Sequence, residues 1–132
     1  MGRSARTGPR AADGRGRRRH PRVALRPPLA LTVRAAARVV PAELVNISRS
    51  GSAILAAEPL GDPGTRLVLD VPERASPERA PVPCEVRWVL AERDPLPRRW
   101  LHGAEFAPLA DRARDLVDRV IAAADAAPPD RR

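Results

Sequence analysis

Cysteine pairs, metal-binding clusters and long apolar runs are missing from this sequence, and each absence excludes a class of protein. A lone Cys84 cannot form an intramolecular disulfide, and no Cys-x-x-Cys or His/Cys cluster offers metal ligands. These two absences predict a protein of a reducing cytoplasm that holds no metal cofactor. No stretch approaches the roughly 18 to 20 apolar residues that a membrane helix needs, so no membrane span is expected.

Groupings of residues typical of catalysis are also absent. The two histidines, His20 and His102, are far apart in the sequence and have no neighbour that suggests acid–base chemistry or metal binding. No nucleophile and base can be paired from their spacing. The sequence therefore predicts that the protein is not an enzyme.

The positive charge is confined to the start of the chain. All 24 basic residues are arginine, and the formal net charge is +8. Residues 1–26 contain nine of these arginines and one acid, Asp13, whereas the rest of the chain contains fifteen arginines and fifteen acids. Residues 1–16 show no hydrophobic periodicity, so we expect a disordered basic arm that attracts an anionic partner.

Short segments of alternating apolar and polar residues follow the arm. The first runs from Leu29 to Ala37, and in the fifth the residues Val82, Cys84, Val86, Trp88 and Leu90 are predicted to share one face. The remaining predicted strands are residues 40–45, 53–57, 66–71 and 100–106. Six strands without an intervening helix predict an all-β antiparallel barrel or sandwich.

The period changes to that of a helix near the end of the chain. Apolar residues from Leu109 to Ala124 fall on one helical face, which we expect to pack over one end of the barrel. Pro128 and Pro129 should end the helix. The predicted organisation is therefore a basic arm (residues 1–16), one domain (17–126) and a frayed tail (127–132).

Two polar segments occur beside the predicted strands. One is Arg18-Arg19-His20-Pro21-Arg22, before the first strand, and the other is Asn46-Ile47-Ser48-Arg49-Ser50-Gly51, between the second and third strands. Taken alone, an arginine-rich segment is usually a solvated tail, and Asn, Ser and Gly between strands are usually turn residues. Their order and spacing give them a more specific meaning.

Arg-x-x-x-Arg before the first strand, followed by Asn-x-Ser-x-x-Gly after the second, resembles the two signature motifs of the PilZ family. Val86-Arg87-Trp88-Val89 resembles the family's fifth strand, and Gly103-Ala104-Glu105-Phe106 resembles its last strand. The resemblance covers about residues 17–125. It implies a six-stranded antiparallel PilZ-like β-barrel with a C-terminal α-helix, and a domain that binds the bacterial second messenger cyclic di-GMP.

The resemblance also implies which residues bind the nucleotide. They are Arg18, Arg22, Asn46, Ser48 and Gly51, with Arg17 and Arg49 as possible additional contacts. Arginine can pair with a phosphate as a planar fork or stack on a purine, and an Asn amide offers both a donor and an acceptor to a guanine edge. Gly51 would allow an unusual backbone conformation or a close approach of the ligand.

The implied function is a sensor that changes its surface on nucleotide binding and so regulates an unknown protein partner. Two alternatives stay open. The arginine arm could instead bind nucleic acid electrostatically, or the domain could be a ligand-free adaptor that binds proteins. Intact motifs favour the nucleotide receptor over the ligand-free adaptor.

Overall fold

The computed structural model describes residues 20–92 and 98–126. The predicted arm, the site residues Arg17 and Arg18, and the predicted tail lie outside these residues. The described elements are β1 (Val23–Ala35), β2 (Arg38–Ile47), β3 (Gly51–Ala56), β4 (Arg66–Pro72), β5 (Arg79–Glu92), β6 (Arg99–Phe106) and α1 (Asp111–Ala126).

The six strands form a closed barrel in the order β1-β2-β3-β6-β5-β4, and every pair of neighbours is antiparallel. The predicted fold class is therefore confirmed. Pairing between β1 and β4 closes the barrel. Each of the six described strands therefore has a paired neighbour on both sides.

The core lies inside the barrel and continues under the helix. On β1, Leu29, Leu31 and Val33 alternate inward, as predicted from the sequence. The apolar face of α1, including Leu116 and Val117, is buried against the barrel, where α1 contacts β1 and β5. β1 differs from its prediction at both ends: it begins at Val23 rather than Leu29, and the chain turns at Ala36, which has a φ of 55°.

A bulge in β2 turns the site asparagine outward. Leu44 pairs with Ile54 and Asn46 pairs with Ala53, so Val45 is an extra residue on the β2 side of the ladder. Strict alternation after Leu44 would point Asn46 into the core. The extra residue reverses the alternation, so Ile47 is fully buried and Asn46 lies at the partly exposed surface.

A second bulge corrects the prediction for β5. Val86 pairs with Ala104 and Trp88 pairs with Gly103, so Arg87 is the extra residue. Val82, Cys84 and Val86 face inward, but Trp88 and Leu90 do not, so the prediction that all five residues share one face is wrong. The side chains of Trp88 and Leu90 are 36% and 58% exposed, because the bulge reverses the alternation after Val86.

Candidate functional site

The two sequence motifs meet at Asn46. Its Oδ1 accepts a hydrogen bond from the Ala53 backbone N–H at 3.1 Å and another from Arg22 Nη1 at 3.2 Å. The pairing of Ala24 with Asn46 and of Val23 with Ile47 brings Arg22, just before β1, to this end of β2. Residues that are 24 positions apart in sequence therefore share one polar cluster.

The asparagine amide keeps a donor for another group. The bond from Ala53 fixes which side of the amide is the oxygen, since a backbone N–H can only donate. Within the described part of the chain, Nδ2 of Asn46 donates no hydrogen bond. Asn46 is thus held by its oxygen and presents two N–H groups at the surface.

Ser48 builds the turn between β2 and β3. Its side chain is 1% exposed, and its Oγ accepts hydrogen bonds from the backbone N–H groups of Ser50 at 3.1 Å and Gly51 at 3.2 Å. The Ser48 N–H also donates to the Gly51 carbonyl at 2.8 Å, which closes the turn. This geometry gives Ser48 a positioning role, and a direct contact with a ligand stays a prediction.

Gly51 is required by packing between strands. A Cβ at this position would lie 2.3 Å from the Ala104 carbonyl oxygen of β6. The glycines with a positive φ in the described residues are Gly61 and Gly64. The predicted unusual backbone conformation of Gly51 is therefore wrong, and the close approach seen here is that of β6.

Arg49 lies in the same turn and connects it to the helix. Its Nε donates to Asp118 Oδ1 of α1 at 3.0 Å. The two side chains are 65% and 37% exposed, so water competes for both partners. Of the residues predicted from the motifs, the structure thus brings together Arg22, Asn46, Ser48, Arg49 and Gly51 around one turn.

Trp88 is a candidate site residue that the sequence prediction did not include. Asn46 pairs with Ala53, Ala53 with Gly103, and Gly103 with Trp88, which makes one row across four strands. The Trp88 ring lies against Gly103, where a Cβ would be 2.1 Å from the ring atoms Cε2 and Nε1. Gly103 was the available signal, because a glycine inside a strand often marks a bulge or a close approach.

Two titratable side chains belong to the core rather than to this site. Burial raises the pKa of the Cys84 thiol to about 12, so its reactive thiolate is suppressed. Burial also lowers the pKa of His102, which is fully enclosed. In residues 20–92 and 98–126, there is no group of three or more side chains suited to a metal ion, and no helix is long and apolar enough to cross a membrane.

The family comparison agrees with the two motifs. The family model described as the PilZ domain matches residues 16–123. The chain belongs to the PilZ domain family. No curated protein matches the sequence.

Solved structures with the same fold include several PilZ proteins. The PilZ domain of YcgR from Escherichia coli with c-di-GMP has a TM-score of 0.68 at 16% identity, over 83% of this chain and 92% of that one. The Bacillus subtilis inhibitor of motility MotI/DgrA has a TM-score of 0.63 at 20% identity, over 81% of this chain and 50% of that one. The K. pneumonia MrkH complex with c-di-GMP has a TM-score of 0.64 at 16% identity, over 80% and 51%. This PilZ chain spans about half the length of the last two proteins, and at these identities the likeness concerns the fold.

Proposed function

We propose that this PilZ domain is a cytoplasmic receptor for cyclic di-GMP, and that nucleotide binding changes its surface and thereby regulates a protein partner. It acts by binding and not by catalysis. The observation that carries the proposal is the hydrogen bond between Arg22 and Asn46, which joins the two family motifs at one surface site. The structures of YcgR and MrkH with c-di-GMP support the choice of ligand.

Arg22 supplies the phosphate contact in this proposal. A guanidinium has five N–H donors in one plane, so it can hold Asn46 and a phosphate oxygen at the same time. Arg18 and Arg17 would add further contacts from the basic segment that precedes Arg22. Positive charge on that segment raises the local concentration of a doubly anionic ligand and favours wrapping around it.

Asn46 and Trp88 supply the contacts to guanine. Ala53 and Arg22 both donate to Oδ1 of Asn46 and so fix the orientation of the amide. Its Nδ2 group can then donate to the N7 and O6 acceptors of a guanine edge. The partly exposed Trp88 ring, on the same row of the barrel, offers an aromatic face or edge to the purine. Ser48 and Gly51 hold the turn that positions Asn46 and Arg49.

Calorimetric titration with cyclic di-GMP tests this function, with GMP and double-stranded DNA as control ligands. We expect saturable binding of the cyclic dinucleotide alone. Arg22→Ala should abolish binding while the thermal unfolding transition is kept. The matched control is Arg34→Ala at the opposite end of β1, where Arg34 is exposed and has no ion-pair partner among the described residues.

Two outcomes would contradict the proposal. A folded Arg22→Ala variant that binds as well as the parent protein would remove the assigned role of Arg22. Binding to DNA that falls steeply with salt, without heat from cyclic di-GMP, would instead favour a nucleic-acid-binding arm.

A further inference from the structure

The ion pair between Arg49 and Asp118 is the direct electrostatic link between the motif turn and the helix. Arg49 belongs to the turn that Ser48 and Gly51 close, and Asp118 lies in the middle of α1. Their Nε and Oδ1 atoms are 3.0 Å apart, although the residues are 69 positions apart in sequence. A change in the contacts of Arg49 at the turn would therefore also change its contact with α1.

Elsewhere, α1 is held to the barrel by contacts that do not touch the motif turn. Arg119 pairs with Glu73 at 3.1 Å and with Glu78 at 3.4 Å, both near the connection between β4 and β5. Arg112 donates to the carbonyl oxygen of Arg79 at 3.1 Å. These contacts allow α1 to lose its link to the turn while it remains attached to the barrel.

A groove runs beside the second half of α1 and the start of β1. The groove has a volume of about 390 Å³ and is lined on the helix by Val120, Ala123 and Ala124 and on β1 by residues that include Leu25 and Leu29. Empty space beside a helix removes packing contacts that would hold it in one position. On the groove side, at Ala123 and Ala124, α1 is thus restrained by fewer packing contacts than on the face that carries Leu116 and Val117.

We propose that Asp118 competes with the phosphates of the nucleotide for Arg49, so that ligand binding breaks the link and loosens α1. This inference rests on the proposed function and adds a route from the binding site to the rest of the surface. An exposed ion pair is weak, and a ligand phosphate can replace the carboxylate with a stronger, forked contact to the guanidinium. Nucleotide affinity and the attachment of α1 are then linked and oppose each other.

The test compares cyclic di-GMP affinity and hydrogen exchange of α1 amides in the full chain and its variants. Asp118→Asn keeps the side-chain size and removes the charge, and we expect it to lower Kd by about two- to fivefold, the range of an exposed ion pair. Arg49→Gln should raise Kd and abolish the increase in α1 exchange that the nucleotide causes in the parent protein. In the Arg49→Gln background, Asp118→Asn should have no further effect, as a double-mutant cycle requires.

Asp115→Asn is the matched control, because Asp115 is exposed on the same helix and has no ion-pair partner in the part of the chain that the structure describes. An equal fall in Kd for Asp115→Asn and Asp118→Asn would overturn the inference, since the effect would then be general charge removal. Unchanged α1 exchange on nucleotide binding would overturn it too. If the parent protein bound no cyclic di-GMP, the proposed function would fail first and this inference with it.

Discussion

The Asn-x-Ser-x-x-Gly motif combines residues that face the surface with residues that build the turn. Asn46 presents an amide at the surface. The Ser48 hydroxyl is instead occupied by hydrogen bonds within the turn, and the Gly51 backbone packs against β6. The resemblance implied that all three motif residues contact the ligand, but two of them, Ser48 and Gly51, support the turn. Substitutions at these positions should separate effects on folding from effects on binding.

Gly51→Ala should destabilise the fold. The added methyl group would meet the Ala104 carbonyl oxygen at 2.3 Å, and a backbone group cannot rotate away as a side chain can. We expect the free energy of unfolding to fall by about 1 to 3 kcal/mol, which is typical of overpacking. Chemical denaturation measures this loss.

The control for Gly51→Ala is the neighbouring variant Ser50→Ala, whose side chain is exposed. It should change the free energy of unfolding by no more than about 0.5 kcal/mol. A Gly51→Ala protein of parental stability that had lost only nucleotide binding would contradict the packing role and favour a close approach of the ligand.

The site could be predicted from the sequence in part. The resemblance of the two motifs to the PilZ family implied Arg22, Asn46 and the turn residues, and strand pairing brings the start of β1 to the end of β2. The hydrogen bonds that occupy Ser48 could not be predicted, because they depend on the conformation of one turn. The partner of Arg49 could not be predicted either, because Asp118 reaches it only through the packing of α1.

Bulges are the element-scale feature that decides which side chains face outward. Each adds one residue to one strand and reverses the alternation beyond it: Val45 does so in β2, and Arg87 does so in β5. The positions of the six strands and the helix followed from periodicity. The alternation within β5 itself does not reveal the inserted residue, so the prediction that Trp88 shares the face of Val86 was wrong.

Because Trp88 faces outward, we expect its fluorescence to change when the nucleotide binds. The chain has two tryptophans and no tyrosine, so Trp100→Phe leaves Trp88 as the single strong emitter. Cyclic di-GMP should quench or shift emission in Trp100→Phe and have little effect in Trp88→Phe, where only Trp100 emits. Trp88→Ala should weaken binding by about 1 to 3 kcal/mol, the usual contribution of an aromatic ring stacked on a base.

Equal quenching in the two single-tryptophan variants would contradict a contact specific to Trp88. Parental affinity of Trp88→Ala would show that its place on the row with Asn46 does not contribute to recognition. Either result would leave the phosphate contact of Arg22 intact, since that contact is tested separately.

At the scale of the whole molecule, one polar side chain in the barrel interior links stability to pH. His102 lies in β6 with no exposed surface. Its Nε2 accepts a hydrogen bond from the Leu60 N–H at 3.0 Å, and its Nδ1 lies 3.2 Å from the Ile54 carbonyl oxygen, to which it can donate. Only the neutral ring with the proton on Nδ1 satisfies both contacts. Burial lowers the pKa of His102, since it disfavours the charged ring.

Stability should therefore fall as the solution becomes acidic. Below a pH of about 6.5, the ordinary pKa of histidine, the unfolded chain takes up a proton at this residue that the folded chain resists. The free energy of unfolding then decreases by at most about 1.4 kcal/mol for each pH unit, until the folded pKa is reached. Denaturation at pH 7.5 and pH 5.5 should show a smaller loss for His102→Gln, which cannot titrate, than for the parent protein. The same pH dependence in His102→Gln as in the parent would assign the acid sensitivity to other groups and leave the buried histidine a purely structural side chain.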